Sequence, residues 1–204
     1  PICGAITLRV TECVDAGFGS PAAVSTCNAS RDVGTFTDIV VPADGQPVIS
    51  YYDVGNSALK IARCANAACS GAASLATVDG AGATDVGQYS SIVLSPTTGA
   101  PLVVYYDVTN QDLKLAACST NACTATLSLR TVVSSNALGS YASLVIDANG
   151  FPAIAYRNIT NQSLDFTRCS TYDCATGSTT TRIVDDGGNV GVHASLVVAP
   201  DGVP

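Results

Sequence analysis

The feature that most constrains this chain of 204 residues is a segment that returns at a nearly fixed interval. Gly45-Gln46-Pro47-Val48-Ile49-Ser50-Tyr51-Tyr52-Asp53 recurs as Gly99-Ala100-Pro101-Leu102-Val103-Val104-Tyr105-Tyr106-Asp107. It returns in altered form as Gly150-Phe151-Pro152-Ala153-Ile154-Ala155-Tyr156-Arg157-Asn158, and Gly202-Val203-Pro204 repeats its opening. The four glycines stand 54, 51 and 52 residues apart. A period of this length makes each unit one supersecondary block, too small to bury its own apolar surface, so neighbouring units must stack.

Each period divides into four short β-like runs separated by turn chemistry. The first runs are 36–41, 89–94, 141–146 and 193–198. Asp44-Gly45, Asn149-Gly150 and Asp201-Gly202 follow and predict two-residue hairpin turns, with Thr98-Gly99 the weaker member. The second run carries the tyrosines and ends in Asp53, Asp107 or Asn158, side chains that can close an Asx-turn with Asn56, Asn110 or Asn161 three residues on. The third begins at Leu59, Leu113 or Leu164 and ends at a cysteine; the fourth covers 74–78, 127–132 or 180–184. No stretch of ten residues keeps a 3.6-residue apolar period, so helix is not expected. Four antiparallel strands repeated about every 50 residues predict an all-β fold, a β-propeller of four-stranded blades. Blades stacked radially bury both faces of each sheet against their neighbours, which manages the sheet edges. A β-solenoid is the alternative, but its rungs are shorter and lack hairpins. The expected organisation is a single domain, 1–204, with repeats at about 36–88, 89–140 and 141–192 and a split or incomplete blade from 193–204 plus 1–35. Three forms stay open: a closed four-bladed ring, a piece of a larger propeller, and a head-to-tail polymer in which one chain completes the next.

Composition excludes several function classes. The chain has 9 Lys+Arg against 16 Asp+Glu, a net charge of −7, and no basic cluster, which argues against nucleic acid or an anionic membrane as partner. One histidine cannot build a His-rich metal site, and a chain 47% hydrophobic and 12% charged is not disordered. Apolar runs stay short of the roughly 18–20 residues that span a membrane. No signal peptide and no initial Met are present, so Pro1 is expected to be a processed or trimmed end. Nine cysteines point to an oxidising compartment, hence a secreted, extracellular or cell-surface protein. Asn28, Asn158 and Asn161 begin glycosylation sequons, used only where the host has that machinery.

Six cysteines fall into the same place in each period. Cys64/Cys69, Cys118/Cys123 and Cys169/Cys174 are five residues apart across the hairpin joining the third and fourth runs, within disulfide range. Each bond closes a loop of about six residues, stabilising by roughly 2 kcal/mol in the chain-entropy picture. Metal knuckles are the weaker reading, since two thiolates on separate blades leave a tetrahedral site half empty. Cys3, Cys13 and Cys27 remain. Asp32-Val33-Gly34 matches Asp85-Val86-Gly87, which aligns the N-terminal stretch with the end of a blade, 6–13 as its third strand and 22–26 as its fourth. Cys13–Cys27 is the expected pair, Cys3–Cys27 the alternative. The odd cysteine, Cys3 in the first case, is then unpaired, joined to another molecule, or bonded outside this segment.

The repeat Gly-x-Pro-x-x-x-Tyr-Tyr-Asp-(x)5-Leu-Lys-(x)3-Cys-(x)4-Cys, quoted from its second copy, resembles the ~50-residue propeller repeats of secreted and surface proteins of bacteria. The resemblance covers nearly the whole chain but is one of architecture. The sialidase-type Asp-box, the Gly-His and Trp-Asp pairs of WD40 repeats and the aromatic-rich hemopexin-like repeat are all missing, and so is any tryptophan. It therefore transfers no catalytic residue.

Two registers point toward the channel of such a propeller. Phe36, Tyr89, Tyr141 and His193 each follow Gly34, Gly87, Gly139 or Gly191 by two residues, and Asp38, Ser91, Ser143 and Ser195 occupy a second equivalent position. The aromatics could stack on a sugar while Asp53 and Asp107 accept its hydroxyls; the plainer alternative packs the rings between blades and spends the acids on turns. Catalytic constellations fare worse. Glycoside hydrolysis needs two carboxylates at set separation, Arg63, Arg157 and Arg168 lie at different blade positions, and Gly-x-Ser-x-Gly is absent. Gly80-Ala81-Gly82-Ala83-Thr84-Asp85 lacks the third glycine of a dinucleotide loop. Asp185-Asp186-Gly187-Gly188-Asn189 offers oxygen ligands for Ca²⁺ but reads more simply as an exposed turn. The function expected from these residues is a non-catalytic, disulfide-stapled extracellular structural or adhesive module, self-assembling through its incomplete blade. A carbohydrate-binding propeller is the alternative and a glycosidase-type enzyme the third. No cofactor or metal is expected; the expected partners are further copies, other surface proteins or a glycan, with no nucleic acid and no membrane insertion.

Overall fold

A computed structural model describes residues 33–204 apart from 81, 135–137 and 176–177. The readings made for Cys3, Cys13 and Cys27, for strands 6–13 and 22–26 and for the Asn28 sequon lie outside the described residues.

Twelve strands form three four-stranded antiparallel sheets, each in simple sequence order. Blade one holds β1 (Val33–Val40), β2 (Val48–Asp53), β3 (Ala58–Arg63) and β4 (Ser74–Asp79). Blade two holds β5 (Val86–Leu94), β6 (Pro101–Asp107), β7 (Asp112–Cys118) and β8 (Thr126–Val133). Blade three holds β9 (Leu138–Ile146), β10 (Pro152–Asn158), β11 (Ser163–Cys169) and β12 (Thr179–Asp185). The architecture is an all-β propeller.

The central strands explain the apolar composition. Every residue of β2 and β6 is buried. Side chains alternate across a strand, so consecutive residues serve opposite faces. Val103 and Tyr105 of β6 pack toward blade one with Val48, Leu59, Ile61, Val86 and Ile92. Leu102 and Val104 pack toward blade three with Leu138, Leu144, Ile154 and Tyr156. A sheet buried on both faces reads as an unbroken apolar run.

Polar ties cross the same interfaces. Asp79, at the end of β4, accepts hydrogen bonds at one oxygen from the Tyr105 hydroxyl and the Lys114 ammonium of blade two, each at 2.6 Å. Burial and the facing Asp79 raise the Tyr105 phenol far above its ordinary range, so it stays a donor. In the next interface the position of Asp79 is taken by Val133, as both pair with the first leucine of the third strand, and that of Lys114 by Asp165. Asp165 instead accepts from Asn158 and Ser163 within its own blade. The acid–base pair is thus exchanged as a set.

The Asx-turns form: Asn56 N–H donates to Asp53 at 3.0 Å, Asn110 N–H to Asp107 at 2.9 Å and Asn161 N–H to Asn158 at 3.0 Å. Disulfides join Cys64–Cys69, Cys118–Cys123 and Cys169–Cys174 with Cα separations of 4.8, 5.0 and 5.1 Å. Three expectations change. The inner strands β1, β5 and β9 begin at 33, 86 and 138, three residues before the expected runs. The first hairpin is longer than two residues: Gly45 N–H closes onto the Pro42 carbonyl, with φ of 75° at Gly45 but no positive φ at Asp44, so the type I′ geometry does not arise. Finally, 193–198 is not a strand. Its turn forms, with Ala199 N–H on Val203 and Gly202 N–H on Ala199, but no described strand supplies the ladder partner that β2, β6 and β10 give to the other inner strands.

Candidate functional site

The site is built by a backbone irregularity repeated in every unit. Gly34, Gly87, Gly139 and Gly191 have φ of 92°, 109°, 101° and 85°, and the aromatic residues two positions later also have positive φ: 53° at Phe36, 54° at Tyr89, 54° at Tyr141 and 57° at His193. The ladder to the second strand shifts register around each of these residues in β1, β5 and β9. All four need the positive φ, and at Gly87 and Gly139 close packing also demands glycine. A Cβ at Gly87 would lie 2.7 Å from the Leu59 backbone, and one at Gly139 would lie 2.9 Å from Leu113 Cβ. Left-handed backbone at a bulky residue costs on the order of 1–3 kcal/mol and persists only where surrounding packing imposes it.

The result is that the rings leave the alternating faces of their strands and meet one another. Phe36 and Tyr89 have ring centroids 4.4 Å apart, Tyr89 and Tyr141 4.3 Å, and Tyr141 and His193 4.7 Å, all tilted or edge-on. Four rings thus form a staircase running across the three blades at the end where the inner strands begin. Tyr89 and Tyr141 are half-buried; Phe36 and His193 are exposed. Burial, then its hydrogen bond with Tyr141, pushes the Tyr89 phenol up to about 12, so it is neutral and can donate. The staircase is flanked from the second strands. Tyr52 lies 6.2 Å from Phe36 and Tyr106 6.5 Å from Tyr89, and Arg157 holds the same position in blade three.

The second register serves the frame. Asp38 Oδ2 accepts Ser91 Oγ at 3.1 Å and Ile92 N–H at 2.9 Å; Ser91 Oγ accepts Leu144 N–H at 3.2 Å, and Ser143 Oγ accepts Leu196 N–H at 3.0 Å. By the same side-chain position β1 is latched to β5, β5 to β9, and β9 to the 193–198 segment, and Asp38 is the one carboxylate on β1, β5 and β9. Asp53 and Asp107 are not brought to the rings. Both are buried, hold their Asx-turns and face Lys60 at 3.5 Å and Lys114 at 3.7 Å. The acids expected to accept sugar hydroxyls therefore close turns. Asp85, not singled out from sequence, does reach this end. It accepts the Tyr52 hydroxyl at 2.8 Å and borders a polar hollow of about 440 Å³ with Gly55, Asn56, Ser57 and Thr84. The signal for the flanking residues was present in the Tyr-Tyr pairs. By strand alternation Tyr51 and Tyr105 go to the interior, which leaves Tyr52 and Tyr106 to the other side. Asp185 accepts Gly187 N–H within its turn, and among the described residues no three His, Cys, Asp or Glu converge as a metal site.

No protein-family model matches the chain, and no curated protein does. Solved structures share its fold. The exo-β-1,3-galactanase of Phanerochaete chrysosporium, with galactose, superposes with a TM-score of 0.54 at 16% identity, over 81% of this chain and 38% of the galactanase. A variant of it with β-1,3-galactotriose gives 0.55 at 15% identity over the same shares. A bifunctional GH43-CE protein of Bacteroides eggerthii gives 0.52 at 14% identity, over 85% of this chain and 22% of its own. The chain spans less than two fifths of the length of these proteins, and at such identities the likeness establishes the propeller fold. It also corrects two expectations: a non-catalytic structural or adhesive module, and a chain with no enzymatic role. Both rested on the regular repeats, the low charge and the lack of a catalytic constellation in the sequence, whereas these solved structures are glycosidases. A census of catalytic side chains over a span this short relative to those enzymes does not decide against catalysis.

Proposed function

We propose that this chain acts on carbohydrate, as part of a secreted propeller of the glycosidase type in which a glycan lies across the staircase of Phe36, Tyr89, Tyr141 and His193. The observation that carries the proposal is the set of four rings at centroid spacings of 4.3–4.7 Å, each held on left-handed backbone. Backbone strain repeated at the rings, with Gly87 and Gly139 packed too closely to admit a Cβ, points to a surface whose ring positions matter. Aromatic side chains offer a rigid apolar plane with a polar rim, suited to the C–H faces and hydroxyls of a sugar. Asp38, two residues past Phe36 on β1 and otherwise part of the latch, is the inner-strand carboxylate that would serve as one of the two acids a hydrolytic step requires, and the three disulfides suit an oxidising compartment.

The test is titration calorimetry with β-1,3-galactan and other neutral oligosaccharides, alongside a reducing-end assay. The expected result is binding that Tyr89→Ala with Tyr141→Ala weakens at least tenfold, and sugar release, where it occurs, that Asp38→Asn abolishes. A folded protein that neither binds nor cleaves any glycan of the panel overturns the proposal.

A further inference from the structure

The staircase carries one cation. Tyr52, Tyr106 and Arg157 are equivalent: each pairs with the first leucine of the third strand, Leu59, Leu113 or Leu164, and with the residue just after the positive-φ glycine, Thr35, Gln88 or Ser140. In blades one and two this position sets a phenol ring 6.2 and 6.5 Å from the aromatic of its own inner strand. In blade three the same register position holds Arg157.

The guanidinium is incompletely used. Arg157 Nη2 donates to Asn189 Oδ1 at 2.5 Å, while Nε is buried and has no hydrogen-bond partner among the described residues. Nor does Arg157 pair with any carboxylate there, although Arg63, Lys114, Arg130 and Arg168 each do, with Asp44, Asp79, Asp173 and Asp147. Among the described residues Arg157 thus stands without an acidic partner in a chain of net charge −7. The charge is felt at the Tyr89 phenol, where it opposes the upward push of burial. A guanidinium presents its N–H groups as a planar fork matched to a carboxylate, and Nη2 engages only the neutral Asn189 amide.

We propose that Arg157 binds the carboxylate of an acidic sugar, so that the glycan taken by the staircase carries a uronic acid over blade three. This rests on the reading of the rings as a glycan surface. The alternative role for Arg157 is to tether Asn189, beyond β12, to β10.

The experiment uses the intact chain and two oligosaccharides that differ only in a terminal glucuronate or glucose, titrated calorimetrically. The acidic glycan is expected to bind about tenfold more tightly. Arg157→Met should erase that preference, Arg157→Lys should keep part of it, and Asn189→Ala, which cuts the tether but not the charge, should keep all of it. Binding of both glycans with equal affinity overturns the assignment of Arg157 and leaves the glycan surface standing. Equal loss of both glycans in Arg157→Met, matched by Asn189→Ala, makes Arg157 a tether and overturns it as well. Failure of both glycans to bind removes the glycan surface and, with it, the role of Arg157.

Discussion

Replacing Gly87 with alanine perturbs the irregularity on which the ring surface depends. Two costs add. The backbone at Gly87 has φ of 109°, a conformation that side chains avoid at about 1–3 kcal/mol. The new Cβ would also lie 2.7 Å from Leu59 Cα and N and 2.9 Å from Leu59 Cβ, atoms of a central strand that cannot swing aside, which adds roughly 1–3 kcal/mol of overpacking. Gly87→Ala should therefore cost about 2–6 kcal/mol. Gly150→Ala is the control: its φ is 82°, but no described atom lies within 4 Å of the added Cβ, so only the first cost applies. For a domain of this size about 1 kcal/mol moves Tm by roughly 2–4 °C. Thermal denaturation followed by circular dichroism should place Gly87→Ala about 2–12 °C below Gly150→Ala. Equal melting temperatures for the two variants would refute the close approach of β5 to β3.

Two further perturbations probe the frame. Asp79→Ala leaves the Lys114 ammonium and the Tyr105 hydroxyl without their shared acceptor between blades one and two, and urea denaturation should show a loss of about 2–4 kcal/mol; an unchanged midpoint would count against the tie. Burial pushes the Asp147 carboxyl up, but the N–H groups of Phe151 and Asn149 and the Arg168 guanidinium outweigh it and hold it below the usual range. A carboxyl with a lowered folded-state pKa stabilises fully above its unfolded value near 3.8 and ceases to do so as pH falls through its folded value. Stability measured from pH 5 down to pH 2 should fall less steeply in Asp147→Asn than in the unaltered chain, and identical slopes would count against the Asp147 cluster.

What could be read from the residues follows the range of the interactions involved. The disulfides and the Asx-turns at Asp53 and Asp107 were legible because their partners lie three to five residues away. The stacked blades were legible because a sheet buried on both faces leaves apolar runs at a fixed period. The left-handed rings were not. A bulge displaces the ladder by one residue, which a two-residue alternation cannot register, although the recurring Gly-x-aromatic triplets at 34–36, 87–89, 139–141 and 191–193 marked the place. The tie between Asp79 and Lys114 spans 35 residues and two sheets, so it depends on how blades stack. The expected strand at 193–198 failed for a related reason, since a strand needs its neighbour and none of the described residues supplies one.

The most direct measurement on the central claim is saturation-transfer NMR of the intact chain with β-1,3-galactotriose, using selectively labelled tyrosine and phenylalanine. Transfer between the ring protons of Tyr89, Tyr141 and Phe36 and the C–H protons of the sugar, lost in Tyr89→Ala with Tyr141→Ala, is the predicted result. Transfer only to other tyrosines, or unchanged in the double variant, would contradict a glycan seated on the staircase.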